Sequence, residues 1–109
     1  MNYLEHLPSS VIICDKDGVI LEMNAKAAAG LDKEGGRNLI GTNILDCHPE
    51  PSRSKLAAQM AERRQNIYTS EKNGVKKLIY QSPWYKNDEY FGIIEISLEI
   101  PFEMPHHLR

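Results

Sequence analysis

The sequence predicts an α+β fold in which helices lie across one side of a single antiparallel sheet. Two β-branched, apolar segments separated by a turn open the chain, and three more such segments close it. The residues between them have helix caps and helical spacing. With 109 residues, 41% hydrophobic and 26% charged, the chain has the size and composition of a globular domain. We therefore treat residues 1–109 as a single domain.

Charge and cysteine content argue against several classes of protein. Thirteen basic and fifteen acidic residues give a net charge of −2, which does not favour nucleic acid as a partner. Cys14 and Cys47 are too few for a secreted disulfide framework and indicate reduced thiols. The sequence contains neither a signal peptide at its start nor a run of 18 apolar residues. We expect a cytoplasmic protein that does not contact a membrane.

The first two strands form the clearest hairpin signal. They are predicted over 9–15 and 19–23, and the turn between them, DKDG, ends in Gly18, which can adopt positive φ. The residues before this hairpin, 1–8, are predicted to form an N-terminal cap segment that ends at Pro8.

Short helices are predicted after the hairpin. Asn24 is a candidate N-cap for an alanine-rich helix over 25–29 that ends at Gly30. A second short helix follows Gly41 and has Thr42 or Asn43 as its cap. Helices of this length are unstable alone, so we expect them to pack against the sheet.

The longest helix is predicted to begin at Pro51 or Ser52 and to run to about Gln65. Its apolar side carries Leu56 and Met60 at i,i+4 spacing. The basic residues at its surface alternate with acidic ones, which is typical of a solvated face.

Three strands joined by tight turns are predicted at the end of the chain. They span residues 67–71, 75–85 and 90–100. In the middle one, alternation places Tyr80 and Trp84 on one side and Ile79 and Gln81 on the other. Which side faces inward stays open, because a bulge near Pro83 would reverse the pattern.

In the last strand, alternation predicts that Ile94 and Ile96 face the core and contact the helix that begins near Ser52. Phe91 and Ile93 then lie on the outer face as an apolar patch that needs a cover. The predicted dimer or partner face comprises Tyr3, Leu4, Phe91 and Ile93.

Three segments, LPSSVIICDKDGVILEMNAKA, LIGTNILDCHP and YFGIIEISLEI, resemble the PAS domain family over residues 4–100. The resemblance implies a five-stranded antiparallel sheet of strand order 2-1-5-4-3, with helices on one face and a pocket between them. The DCHPEPS segment is similar to PAS modules that have a Cys-His-Pro segment before the long helix. PAS domains are mostly sensory or interaction modules, so we expect no catalytic residues and no enzyme activity.

The resemblance places a small ligand between sheet and helices. The candidate ligand-binding residues are Cys47, His48, Leu56, Met60, Tyr80, Ile94 and Ile96. Cys47 and His48 are adjacent, so their side chains diverge and cannot act as a catalytic dyad. No metal site is predicted, because the paired spacing of metal ligands is lacking.

The cofactor stays open among a small metabolite, haem and none. PAS domains that bind haem use a histidine on or near the long helix, and His48 is the histidine placed for this role. The alternative for His48 is a structural cap. A flavin is disfavoured, because the Asn-Cys-Arg-Phe-Leu-Gln stretch of the flavin photosensors does not occur. The competing hypothesis is a ligand-free interaction domain whose interior is filled by side chains.

The partners follow from the same resemblance. No kinase, cyclase or helix-turn-helix motif follows the sheet. We expect a homodimer that forms through the outer sheet face and the N-terminal segment. We also expect a separate output protein such as a kinase, a cyclase or a transcription regulator.

Overall fold

The computed structural model describes residues 3–109, so the first two residues of the predicted N-terminal segment lie outside the described part. The sheet has the order β2-β1-β5-β4-β3, and all its pairs are antiparallel. The strands are β1 Ser10–Asp15, β2 Ile20–Met23, β3 Asn66–Lys72, β4 Val75–Lys86 and β5 Glu89–Ile100. The helices are α1 Ala25–Gly30 and α2 Ser52–Glu62, with 3₁₀ turns at Asp32–Glu34, Gly36–Leu39 and Ile44–Cys47. The predicted five-stranded sheet and its order are confirmed.

Turn chemistry explains the β1–β2 hairpin. The Asp15 carboxylate accepts hydrogen bonds from the backbone N–H groups of Asp17 and Val19, both at 2.9 Å. Gly18 closes the turn with φ of 91°. The free edge of β2 is covered, because Ile20 exchanges backbone hydrogen bonds with the loop at 41–42.

The N-terminal segment is held against α1. Asn24 caps this helix, as predicted, by accepting a hydrogen bond from the N–H of Ala27. The N–H of Ala25 donates to the carbonyl of Glu5 at 3.0 Å. Arg37 donates to the carboxylate of Glu5, and this hydrogen bond lowers the pKa of Glu5.

α2 begins at Ser52, and a carboxylate in front of it acts as its cap. Glu50 accepts hydrogen bonds from the backbone N–H and the hydroxyl of Ser54, at 2.9 and 2.7 Å, and these bonds lower its pKa. The helix ends at Glu62, earlier than the predicted Gln65. Arg63 adopts a left-handed conformation with φ of 54°, which terminates the helix.

The hydrophobic core lies between the helices and one face of the sheet. Its buried members are Ile12, Cys14, Ile20, Met23, Ala27, Ile44, Leu56, Met60 and Ile93. They come from β1, β2, β5, both helices and the 3₁₀ turn before α2. None of the helices within residues 3–109 is long and apolar enough to cross a membrane.

The predicted faces of β5 are wrong. Ile93 is 5% exposed and packs in the core beside Leu56 and Met60, whereas Ile94 and Ile96 lie on the opposite face. β1 determines this arrangement: its core residue Cys14 pairs with Ile93, while Ile13 and Val11 pair with Ile94 and Ile96. Residues opposite each other in a sheet share a face. Ile94, Ile96 and Leu98 form the more apolar side of β5, whereas Ile93 shares its side with Glu95 and Ser97, so alternation alone favoured the wrong face.

The same pairing decides the open question about β4. Tyr80 pairs with Ile96, so it lies on the outer face. Ile79 and Gln81 therefore face the helices. The register shift falls between Trp84 and Tyr85, close to the bulge considered near Pro83.

Candidate ligand cleft

A cleft of about 430 Å³ lies between α2 and the helix-facing side of β3 and β4. Its volume is in the range of small-molecule sites. The lining residues are His48, Ser52, Lys55, Leu56, Ala58, Gln59, Arg64, Asn66, Tyr68 and Gln81. We call this site the α2 cleft.

A polar row that crosses three strands provides the floor of the α2 cleft with Asn66 and Gln81 and continues to Glu95, which does not line the cleft. Asn66, Gln81 and Glu95 are opposite one another in β3, β4 and β5. Gln81 donates its side-chain N–H to the Glu95 carboxylate at 2.7 Å, and its side-chain oxygen accepts from Asn66 at 3.2 Å. Because a carboxylate accepts and does not donate, Glu95 fixes the orientation of the Gln81 amide.

His48 lies at the rim of the cleft next to α2. Its ring Nδ1 is 2.8 Å from the carbonyl oxygen of Ile44. A carbonyl can only accept, so Nδ1 carries the proton and Nε2 is left as the acceptor of the ring. This hydrogen bond ties His48 to the 3₁₀ turn before it.

The lining of the α2 cleft does not fit haem. A porphyrin needs apolar walls, and the cleft offers Leu56 and Ala58 for that purpose. The other side chains around His48 are polar or charged, and they include the buried amides of Gln59 and Gln81. A porphyrin buried here would place its apolar surface against these polar and charged groups.

The predicted site residues divide among four places. His48 and Leu56 line the α2 cleft, while Met60 is part of the core. Cys47 is exposed at the surface. The remaining three, Tyr80, Ile94 and Ile96, lie across the sheet from the helices, which corrects their predicted place beside Met60.

Sequence reasoning missed most of the polar lining of the cleft. Gln59 and Gln81 are 4% and 7% exposed, and Asn66 is half-buried. A signal for Gln81 and its partner Glu95 exists in the sequence, since the first follows the run Leu78-Ile79-Tyr80 and the second stands between Ile94 and Ile96. Without the register, nothing shows that these two positions are neighbours.

The two cysteines differ in reactivity, and this gives a prediction. Burial, with a smaller effect of the Glu95 and Asp15 carboxylates, raises the pKa of Cys14 to about 12, whereas Cys47 is exposed. At about pH 8, a thiol reagent should modify one thiol of the native protein quickly. Cys47→Ser should remove this fast reaction, and denaturant should expose Cys14. Two fast thiols in the native protein would contradict the burial of Cys14.

An apolar groove lies on the outer face of the sheet. It is lined by Ile13, Leu21, Glu22, Trp84 and Ile94. The indole N–H of Trp84 donates to the carbonyl of Cys14 at 3.1 Å, and its ring stacks on Phe91 with centroids 5.3 Å apart. We call this surface the outer groove.

The residues of the predicted partner face lie in different environments. Phe91 lies beside the outer groove through its stacking on Trp84. Tyr3 is 99% exposed and Leu4 is 36% exposed. Ile93 does not belong to this face, because it is buried under the helices. Throughout residues 3–109, no group of three or more His, Cys, Asp or Glu side chains is placed to hold a metal ion.

The sheet order, with helices on one face and a cleft beneath α2, is the architecture of a sensory domain. The family described as PAS fold matches residues 4–64, more than half of the sequence, and the chain belongs to this family. PAS domains are sensory modules, generally non-catalytic, and occur in signal-transduction proteins such as histidine kinases. No protein of curated function matches the sequence.

Solved structures share the fold. A sensory box sensor histidine kinase from Vibrio cholerae is 16% identical, with a TM-score of 0.66 over 92% of this chain and 87% of that one. The PAS domain of Bordetella pertussis BvgS is 18% identical, with a TM-score of 0.64 over 90% and 81%. The Aer2 receptor from Vibrio cholerae, described as a dual PAS-haem oxygen sensor, is 19% identical, with a TM-score of 0.62 over 85% and 95%. At these identities the likeness shows the fold alone.

Proposed function

We propose that this PAS domain is a cytoplasmic regulatory module that binds a small polar ligand in the α2 cleft. Ligand binding changes the outer face of the sheet, and a second copy of the chain and an output protein contact that face. The observation that carries the proposal is the open cleft beneath α2, whose lining is mostly polar. Histidine kinases among the structural neighbours support a kinase as the output partner.

A route from the cleft to the outer face supports this mechanism. Gln81 contributes to the floor of the α2 cleft and is hydrogen-bonded to Glu95 in β5. The residue before Glu95 is Ile94, which lines the outer groove. A ligand that competes for the Gln81 amide would alter the β4–β5 pairing and thereby shift the population of sheet conformations presented to a partner.

Ligand binding can be tested on protein purified without additives. Native mass spectrometry should show a retained small molecule, and stripping it by unfolding and refolding should lower the melting temperature. Gln81→Leu should reduce retention, whereas Thr69→Val, on β3 and outside the cleft lining, should not. A chain that carries no extra mass and has the same melting temperature after refolding would favour the ligand-free interaction domain. A Soret band that disappears in His48→Ala would establish haem and contradict the proposed ligand class.

Dimerisation through the outer groove gives a separate prediction. Leu21 lines the groove and is 43% exposed, so Leu21→Glu should place a charge in the interface and weaken a dimer at least about tenfold. Val75→Glu is the matched control, since Val75 is similarly exposed, at 36%, at the β3–β4 hairpin. Analytical ultracentrifugation would measure both variants. A wild-type protein that stays monomeric, or equal effects of the two variants, would rule out this interface.

A further inference from the structure

The charged side chains that line the α2 cleft are cationic. Of its ten lining residues, Lys55 and Arg64 are cationic and none is Asp or Glu. Across residues 3–109, no carboxylate lies within ion-pair distance of Lys55. Arg64 pairs with Glu62 through Nε, and the other guanidinium N–H groups are further donors. The cleft therefore attracts negative charge.

Hydrogen-bond donors add to this charge. Burial, with a smaller effect of Glu95, raises the pKa of Tyr68, so its hydroxyl stays protonated and can donate. Ser52 and Gln59 provide a further hydroxyl and a further amide. Glu95, the carboxylate next to Gln81 in the polar row, does not line the cleft and already accepts a hydrogen bond from Gln81. A cationic ligand would find no carboxylate along the lining.

A second cleft in the same molecule provides a comparison. It has a volume of about 470 Å³ and lies between α1 and the strands β1 and β5. Its charged lining residues are Lys26, Lys77, Glu95 and Glu99, so the signs are balanced. The second cleft therefore lacks the excess of positive charge that the α2 cleft carries.

We infer that the α2 cleft selects a small ligand carrying a carboxylate or phosphate group, held by Lys55 and Arg64 and by the hydroxyl and amide donors around them. This inference rests on the proposed function, because it names the chemical class of the ligand for that cleft. Carboxylate and phosphate present the same oxyanion chemistry to these donors, and Arg binds both through paired N–H groups.

The test compares compounds of similar size and different charge. Isotope-labelled protein is titrated at constant ionic strength with succinate, inorganic phosphate, the neutral succinamide and the cationic 1,4-diaminobutane. The side-chain amide resonances of Gln59, Asn66 and Gln81 report on the cleft by NMR. Succinate or phosphate should shift them saturably, and Lys55→Gln and Arg64→Gln should each weaken that binding by about tenfold. Lys77→Gln, which removes a lysine from the second cleft, should leave it unchanged.

The outcomes separate this inference from the proposed function. If succinamide or 1,4-diaminobutane binds as tightly as succinate, the cleft still binds a ligand and its selectivity for anions is disproved. If Lys77→Gln weakens succinate binding as much as Lys55→Gln, the effect comes from the net charge of the protein and not from the α2 cleft, and the inference fails. If none of the four compounds shifts these amides, the inference also fails. The native mass spectrum of the purified protein then shows independently whether the protein retains a ligand of another class.

Discussion

Gly92→Ala is expected to lower the free energy of unfolding by about 3–5 kcal/mol, enough to leave much of a small domain unfolded. A Cβ atom on Gly92 would lie 2.0 Å from the carbonyl oxygen of Cys14 and 2.6 Å from the carbonyl carbon of Asp15. These are backbone atoms of β1, and they cannot move without breaking the pairing of β1 with β5. In addition, Gly92 has φ of 150°, which residues with a side chain rarely adopt.

Alanine variants of two other glycines distinguish the cost of the steric clash from the cost of backbone strain. Gly41 has φ of 94°, but no neighbouring atom lies within 4 Å of the place that a Cβ would take, so Gly41→Ala should cost about 1 kcal/mol through strain alone. Gly30 has open space and no positive φ, and Gly30→Ala should be neutral or slightly stabilising. Urea unfolding followed by circular dichroism would rank the three variants. A Gly92→Ala protein no less stable than Gly41→Ala would refute the close approach of β5 to β1.

Asn24→Ala is expected to cost about 3–4 kcal/mol, because one buried amide completes four hydrogen bonds. Its side-chain oxygen accepts from the N–H groups of Val11 and Ala27, at 3.1 and 3.0 Å. Its side-chain nitrogen donates to the carbonyls of Leu4 and Ser9, at 2.9 and 2.8 Å. Asn24 is fully buried, so truncation leaves these partners without a replacement. The N-terminal segment, β1 and α1 would all be loosened.

Asn24→Asp distinguishes the helix cap from the contacts to the N-terminal segment. Aspartate keeps an acceptor for the N–H groups of Val11 and Ala27. Its second carboxylate oxygen would face the two carbonyl oxygens to which the Asn24 amide donates, so this variant should also be destabilised. Asn38→Ala, at an exposed position in a 3₁₀ turn, is the control and should change stability by less than about 0.5 kcal/mol. Hydrogen exchange at Val11 should be faster in Asn24→Ala than in Asn24→Asp, because aspartate keeps the acceptor for the Val11 N–H. Equal stabilities of the Asn24→Ala and Asn38→Ala proteins would show that the network does not stabilise the fold.

The features that the sequence predicted correctly depend on local chemistry. The DKDG turn and the cap at Asn24 each follow from a few neighbouring residues with particular backbone preferences. Of the two caps considered for the second short helix, Asn43 is the one observed, because its side chain accepts from the N–H of Leu45. The helix over 25–29 and all five strands lie within a few residues of their predicted bounds.

The lining of the cleft could not be predicted in the same way. Gln81 and Glu95 are neighbours because β4 and β5 pair in one particular register, and that register is set by the whole sheet. Lys55, Gln59 and Arg64 face the cleft because α2 lies at one angle across β3 and β4. Neither relation is contained in the periodicity of a single segment.

By itself, the sequence determined the kind of each element, the turns that join them and the PAS family, because these depend on residues close together in the chain. The tertiary structure alone decided that Ile93 faces the helices, that Ile94 faces outward and that a donor-rich cleft lies beneath α2. The physical reason is the composition of β5. Its more apolar face, with Ile94 and Ile96, lies outward, so its orientation is fixed by pairing with Cys14 and Ile13 of β1 and not by its own pattern.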